Sequence, residues 1–190
     1  MIEGRNGITA NTPKNILFGA GTIHKNLKYS STWNFTETIV GATNGGSKLS
    51  ISPELYDVPV DGANVAVKGF KVKTGETATM EVNFTELSLD LIKAAVLGAE
   101  GTSEDTTLEA IVPKTDIVEG DYWENVAFVG KTLEGKPVIA ILENALVTSG
   151  FETEGKNKES ATGTYTFTCH ADSAADSFDV LPWKIYYPTV

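Results

Sequence analysis

Few residues in this chain could act as nucleophile, base or metal ligand. There are two histidines, His24 and His170, and one cysteine, Cys169. A nucleophilic cysteine needs a base within hydrogen-bond reach. Cys169 and His170 are neighbours, and successive strand side chains point to opposite faces, so they do not form a dyad. Cys169 reads instead as a small buried apolar residue. Neither histidine belongs to an HExxH pattern and no CxxC occurs, so zinc motifs are missing. Gly19-Ala20-Gly21 lacks the third glycine and the Lys-Ser/Thr ending of a phosphate loop. Glu104, Asp105 and Glu109, like Glu119 and Asp121, cluster without calcium-loop spacing and read as solvated loops. Trp33, Trp123 and Trp183, with Tyr186 and Tyr187, could stack on a sugar or a base, although such residues more commonly pack cores and interfaces. The sequence thus assigns no catalytic residue, no cofactor and no metal ligand, and predicts that the protein is not an enzyme.

Charge excludes a further class. Fifteen basic residues against 25 acidic give −10, the wrong sign for a protein that grips phosphates. No apolar run approaches the 18 residues of a membrane span, and residues 1–10 lack a secretion-signal pattern. These features predict a protein made and kept inside a cell, or released by lysis. Ile2-Glu3-Gly4-Arg5 matches a protease site common in expression vectors and carries no information on fold.

The elements that could position these residues are mostly strands. Glu76–Phe84 alternates, with Ala78, Met80, Val82 and Phe84 on one face and Thr77, Thr79, Glu81 and Asn83 on the other. Val65–Lys73 reads as a strand kinked at Gly69, joined to the next by a turn at Thr74-Gly75-Glu76, so 65–84 is expected to be a hairpin. Ala127–Gly130 and Val138–Leu142 flank a turn, with Pro137 at a strand start. Leu146–Thr153 is expected to be extended and Glu154–Ser160 to be a charged turn. Gly163–His170 alternates with Tyr165, Phe167 and Cys169 opposite Thr164, Thr166 and Thr168. The segment at 183–188 reads as a last edge strand or docking arm. One helix is expected at about 86–97, capped by Thr85 and stopped at Gly98, with an apolar surface too broad to bury on one side. Residues 1–15, 41–64 and 98–109 read as arms or loops.

Taken in order, these pieces resemble a known family. Ile16-Leu17-Phe18-Gly19-Ala20-Gly21 precedes Gly41-Ala42-Thr43-Asn44-Gly45-Gly46, then Pro53-Glu54, Val60-Asp61-Gly62 and Val67-Lys68-Gly69. Next come Ala78-Thr79-Met80-Glu81-Val82-Asn83-Phe84-Thr85-Glu86 running into the helix, Asn144-Ala145-Leu146, Thr166-Phe167-Thr168-Cys169-His170 and Pro182-Trp183. The series resembles the major tail tube proteins of long-tailed phages and prophages of Gram-positive bacteria, over most of residues 15–187.

The resemblance implies a mainly β fold: a β-sandwich or barrel with one flanking helix and long arms. Residues 1–15 would be an N-terminal arm and 16–190 a single tail tube domain, without the immunoglobulin-like C-terminal domain of some relatives. It implies a structural virion protein, assembled in the bacterial cytoplasm. Subunits would form stacked hexameric rings around a channel for DNA, meeting tail tip or baseplate, tape measure and terminator proteins. Residues Gly41, Asn44, Gly45, Gly46, Asp61 and Gly62 are expected at contacts between rings, as is the N-terminal arm. Thr77, Thr79, Glu81 and Asn83 are expected to line the channel, with the threonine face at 162–170 a second candidate. Trp183, Tyr186 and Tyr187 are expected to pack subunits together. Six copies at −10 would carry about −60 per ring, and any part facing the channel would repel DNA within roughly 8 Å. Two other readings stand beside this one: the inner tube of a contractile particle or secretion system, and a carbohydrate- or small-ligand-binding β domain built on the tryptophans.

Overall fold

The computed structural model describes residues 7–155, 157–176 and 178–189. The protease-site segment and the start of the N-terminal arm, residues 1–6, lie outside that range, as does Lys156 of the expected charged turn. A one-turn helix α1 (Thr12–Asn15) opens the described chain. The strands are β1 (Leu17–Lys25), β2 (Tyr29–Ser30), β3 (Thr32–Trp33), β4 (Thr43–Asp57), β5 (Lys71–Phe84), β6 (Ala99–Gly101), β7 (Ala110–Val112), β8 (Trp123–Thr132), β9 (Pro137–Val147), β10 (Gly163–Cys169) and β11 (Trp183–Tyr186). Helix α2 (Leu89–Val96) follows β5.

The fold is mainly β, as expected. One antiparallel sheet runs β1-β8-β9-β10-β5-β4. Strand β9 divides its second edge: Ala145–Val147 pair with β10, while Ile139–Leu142 pair with β11. The sheet curls until β1 and β4, the two ends of the path, approach each other without pairing.

Inside the curl lies the main core, with Ile23, Met80, Val82, Phe84, Val126, Leu142, Tyr165 and Phe167 at most 1% exposed. Each large apolar side chain buried here contributes about 1.5–3 kcal/mol. Helix α2 adds Leu91, Ala94 and Ala95 to this core. A smaller cluster of Leu27, Ala127, Ile139 and Ile141 lies apart from it, covered by Trp33 and Phe35.

Inward parity on β9 changes in mid-strand. Leu142 and Ala145 both join the main core, although residues three apart on a regular strand face opposite sides. Asn144, at φ 47°, supplies the switch. Its left-handed backbone is one that Asn tolerates better than most residues, and its Nδ2 donates to the His170 carbonyl at 3.2 Å. A similar irregularity explains Gly19-Ala20-Gly21. Between Phe18 and Thr22 the register with β8 shifts. Gly21 sits at φ +71°, where a Cβ would come within 2.4 Å of the Phe128 ring.

Four sequence expectations are corrected. First, 65–84 is not a hairpin. Strand β5 runs straight through Thr74-Gly75-Glu76, and its partner is β4, with Gly75 opposite Glu54. The register shift there makes Thr74 the extra residue of a bulge; a glycine inside a strand signals a bulge as readily as a turn. Second, 41–64 is not a loop, because Thr43–Asp57 is the longest strand. Its alternation of Leu49 and Ile51 with Ser50 and Ser52 is masked by Gly45-Gly46 and Pro53. An edge strand such as β4 tolerates proline.

Third, the helix starts at Leu89. Ser88 caps it through its Oγ and the Leu91 amide, while Thr85 and Glu86 bond to Ala42 instead. The helix ends at Leu97, which takes the left-handed cap at φ 50°. Gly98 has a packing reason: a Cβ there would lie 2.5 Å from Ile111. Fourth, 98–109 is not wholly loop, since Ala99–Gly101 pairs with β7.

Candidate functional site: a polar sheet face and an apolar hairpin

On β5 the inward residues Ala78, Met80, Val82 and Phe84 are all fully buried. This holds Thr77, Thr79, Glu81 and Asn83 on the opposite face of the sheet. Register then fixes their neighbours. Across β4 lie Ser52, Ser50 and Lys48, opposite Thr77, Thr79 and Glu81. Across β10 lie Thr168, Thr166 and Thr164, opposite Thr79, Glu81 and Asn83. The two stretches considered separately as channel-lining are therefore adjacent strands of one surface. Hydroxyls tie it together: Thr164 Oγ1 donates to Asn83 Oδ1 at 2.6 Å, and the Thr148 and Thr168 hydroxyls share a 2.9 Å hydrogen bond.

The charge on this face is small. Lys48 stands directly opposite Glu81, leaving Glu54, near the far end of β4, as the unbalanced carboxylate among these positions. The face is thus hydroxyl-rich and nearly neutral, and it does not concentrate the acidic surplus of the chain.

Beyond Ala78 the β4–β5 hairpin leaves the core behind. Pro53–Asp57 and Lys71–Thr74 are exposed on both faces. The connecting loop 58–70 is held by Val58 N–H to the Phe70 carbonyl at 2.8 Å and by a Lys71–Asp57 ion pair at 2.9 Å. The apolar residues of this end of the hairpin have no cover: Val65 is 78% exposed, and Val60 and Phe70 in the loop and Leu55 and Tyr56 on β4 are exposed as well. The six residues expected between rings do not form one site. Gly41, Asn44, Gly45 and Gly46 lie at the base of β4, where Gly41 packs on Glu86 and Gly45 on the Asn83 side chain. Asp61 and Gly62 lie in the distal loop, roughly 45 Å away along a strand of this length.

A second apolar surface was not foreseen. Leu17, Leu49, Phe128, Ala140, Ile185 and Tyr187 line a cleft of about 370 Å³. The signal in the sequence was the apolar run Ile16-Leu17-Phe18 before the glycines. On α2, Leu89 and Val96 also remain exposed.

The C-terminal aromatics separate. Trp183 is half-buried against its own core, and its Nε1 donates to Glu76 Oε1 at 3.0 Å. Glu76 also accepts from Lys73 Nζ at 2.9 Å. The Lys73 hydrogen bond, with further bonds from Trp183 and the Leu181 amide, outweighs burial and holds the Glu76 carboxyl below its ordinary value. Tyr186 and Tyr187 are exposed, and Tyr186 meets Trp33 edge-on at 5.1 Å. Trp123 lies in the core against Phe167, so the three tryptophans do not share one surface.

The remaining reactive groups are engaged separately. Cys169 is buried, its thiol donating to the Glu143 carbonyl at 3.1 Å, and burial pushes its pKa up to about 12. His170 donates from Nδ1 to the Thr168 carbonyl and packs on Tyr122. Asp121 pairs with Lys114; burial pushes its carboxyl up, but Lys114 and the Val118 amide leave it below the ordinary carboxylate value. Asp105 accepts from Thr107. Among the described residues no three His, Cys, Asp or Glu side chains come together as a metal site, and no helix is long and apolar enough to cross a membrane. The chain matches no known family model and no curated protein.

Proposed function

We propose that the chain is the subunit of a phage tail tube, in which six copies close into a ring and rings stack into a hollow tube. The observation that carries this reading is the single hydroxyl-rich face of β4, β5 and β10, backed on β5 and β10 by buried side chains and on β4 by the half-buried Leu49 and Ile51. Such a face offers passing DNA hydrogen-bonding water but no cluster of cations to hold phosphates. Two features support self-association. Strand β4 pairs on one edge only, and the second edge of β1 is met only around His24, by residues 38–40; unpaired edges are normally covered. The hairpin carries exposed valines, Tyr56 and Phe70 into solvent, a cost that burial in a neighbour removes. Tail tip or baseplate, tape measure and terminator proteins are the further partners of this proposal, in a virion tail assembled in the bacterial cytoplasm.

Electron microscopy of the purified chain tests it. Rings or tubes are expected, and Val65→Asp should abolish stacking while leaving the circular dichroism spectrum unchanged. Monomers at every concentration, for both proteins, would contradict the reading.

A further inference from the structure

His24 is fully buried on β1 although it is titratable. Its hydrogen bonds have a single direction. Thr38 Oγ1 donates to the Asn34 carbonyl at 2.8 Å, so it can only accept from His24 Nδ1, 2.8 Å away. Nδ1 therefore carries the proton, and Nε2 accepts from Thr22 Oγ1 at 2.7 Å. Thr22 is exposed, which places the basic nitrogen one hydroxyl from solvent.

This relay fastens a flap. Residues 28–41 cross the outside of the sheet between two clamps. At one end Asn125 bonds both the amide and the carbonyl of Leu27; at the other Ala42 is held by Glu86 and Thr85. Between the clamps, the attachments to β1 surround His24: Lys25 N–H to the Thr38 carbonyl at 2.7 Å, Val40 N–H to the Ile23 carbonyl at 2.9 Å, and the Phe35 ring edge-on to the imidazole at 5.8 Å.

We propose that His24 is an acid-operated latch: taking up a proton frees residues 28–41 from β1 and uncovers the apolar strip of Ala127, Ile139 and Ile141. A protonated ring would be a buried cation with two hydroxyls and no anion on it. On its own strand Lys25 is paired with Asp90. On the flap Glu37 is exposed and bonded to Asn34 Nδ2; Lys28 is paired with Glu124. On β8 the facing residues Val126, Ala127 and Phe128 carry no charge, and Lys131 further along adds a like charge. Burial accordingly lowers the His24 pKa from 6.5. The closed flap then binds the proton less well than the open one. Its closure is at full strength above 6.5 and weakens as pH falls below that value, until the closed-state pKa is reached.

Hydrogen exchange at pH 7.5 and 5.5, corrected for intrinsic chemistry, tests the latch. At pH 5.5 an ordinary imidazole is protonated about ten to one, so amides of 34–40 should open up to about tenfold more often, with β10 unchanged. His24→Gln should remove this response and His170→Gln should keep it. Nitrogen NMR of the wild-type ring gives an independent reading should the His24→Gln protein not fold: the Nδ1–H tautomer at pH 7.5, titrating below 6.5 together with the flap. A flap whose opening ignores pH, a response that persists in folded His24→Gln, or a ring that titrates at or above 6.5 would overturn the proposal.

Discussion

Tyr165 shows how a single atom can be out of step with its surroundings. Its ring is fully buried against Phe84 at 5.8 Å, yet among the described residues its hydroxyl has no hydrogen-bond partner. An orphaned buried hydroxyl costs about 1–3 kcal/mol. Tyr165→Phe should therefore raise stability by about 1 kcal/mol, read as a higher urea midpoint with unchanged slope. A lower midpoint would show that the oxygen is bonded after all. The alternation around Tyr165 was legible because Thr164, Thr166 and Thr168 mark the other face. Asn144 was not legible, since nothing in its neighbours tells a left-handed Asn from an extended one, and so the parity change between Leu142 and Ala145 stayed hidden.

At the scale of elements, β11 depends on Glu76. The carboxylate joins Lys73 on its own strand to Trp183 and Leu181 near the chain end. Because its pKa is held below 4.5, this tether is at full strength above 4.5 and is lost as pH falls through the depressed value. Glu76→Gln should speed hydrogen exchange at 183–186 at pH 7 and flatten its acid dependence; equal exchange in both proteins would show that strand pairing alone holds β11. Strands with regular two-residue alternation, such as β5 beyond Gly75 and β10, could be read from the sequence. The β4–β5 pairing could not, because Gly75 and Gly45-Gly46 mimic turns and a bulge is settled only by the partner strand. The helix boundary was lost for a related reason: Thr85 is a good cap by type, but Ala42 occupies it.

For the whole molecule, residue types that line a face were legible and the face itself was not. Thr77, Thr79, Glu81 and Asn83 could be assigned to one side of β5, but only the register with β4 and β10 joins them to Ser50, Ser52 and Thr164–Thr168. Net charge was equally silent on placement, since −10 says nothing about where the carboxylates stand. A cryo-electron microscopy reconstruction of the assembled protein is the most direct test of the central claim. It should show six-fold rings stacked around a lumen, with Thr79, Glu81, Thr166 and Thr168 facing inward. An assembly with these residues on its outer wall, or with no lumen, would contradict it.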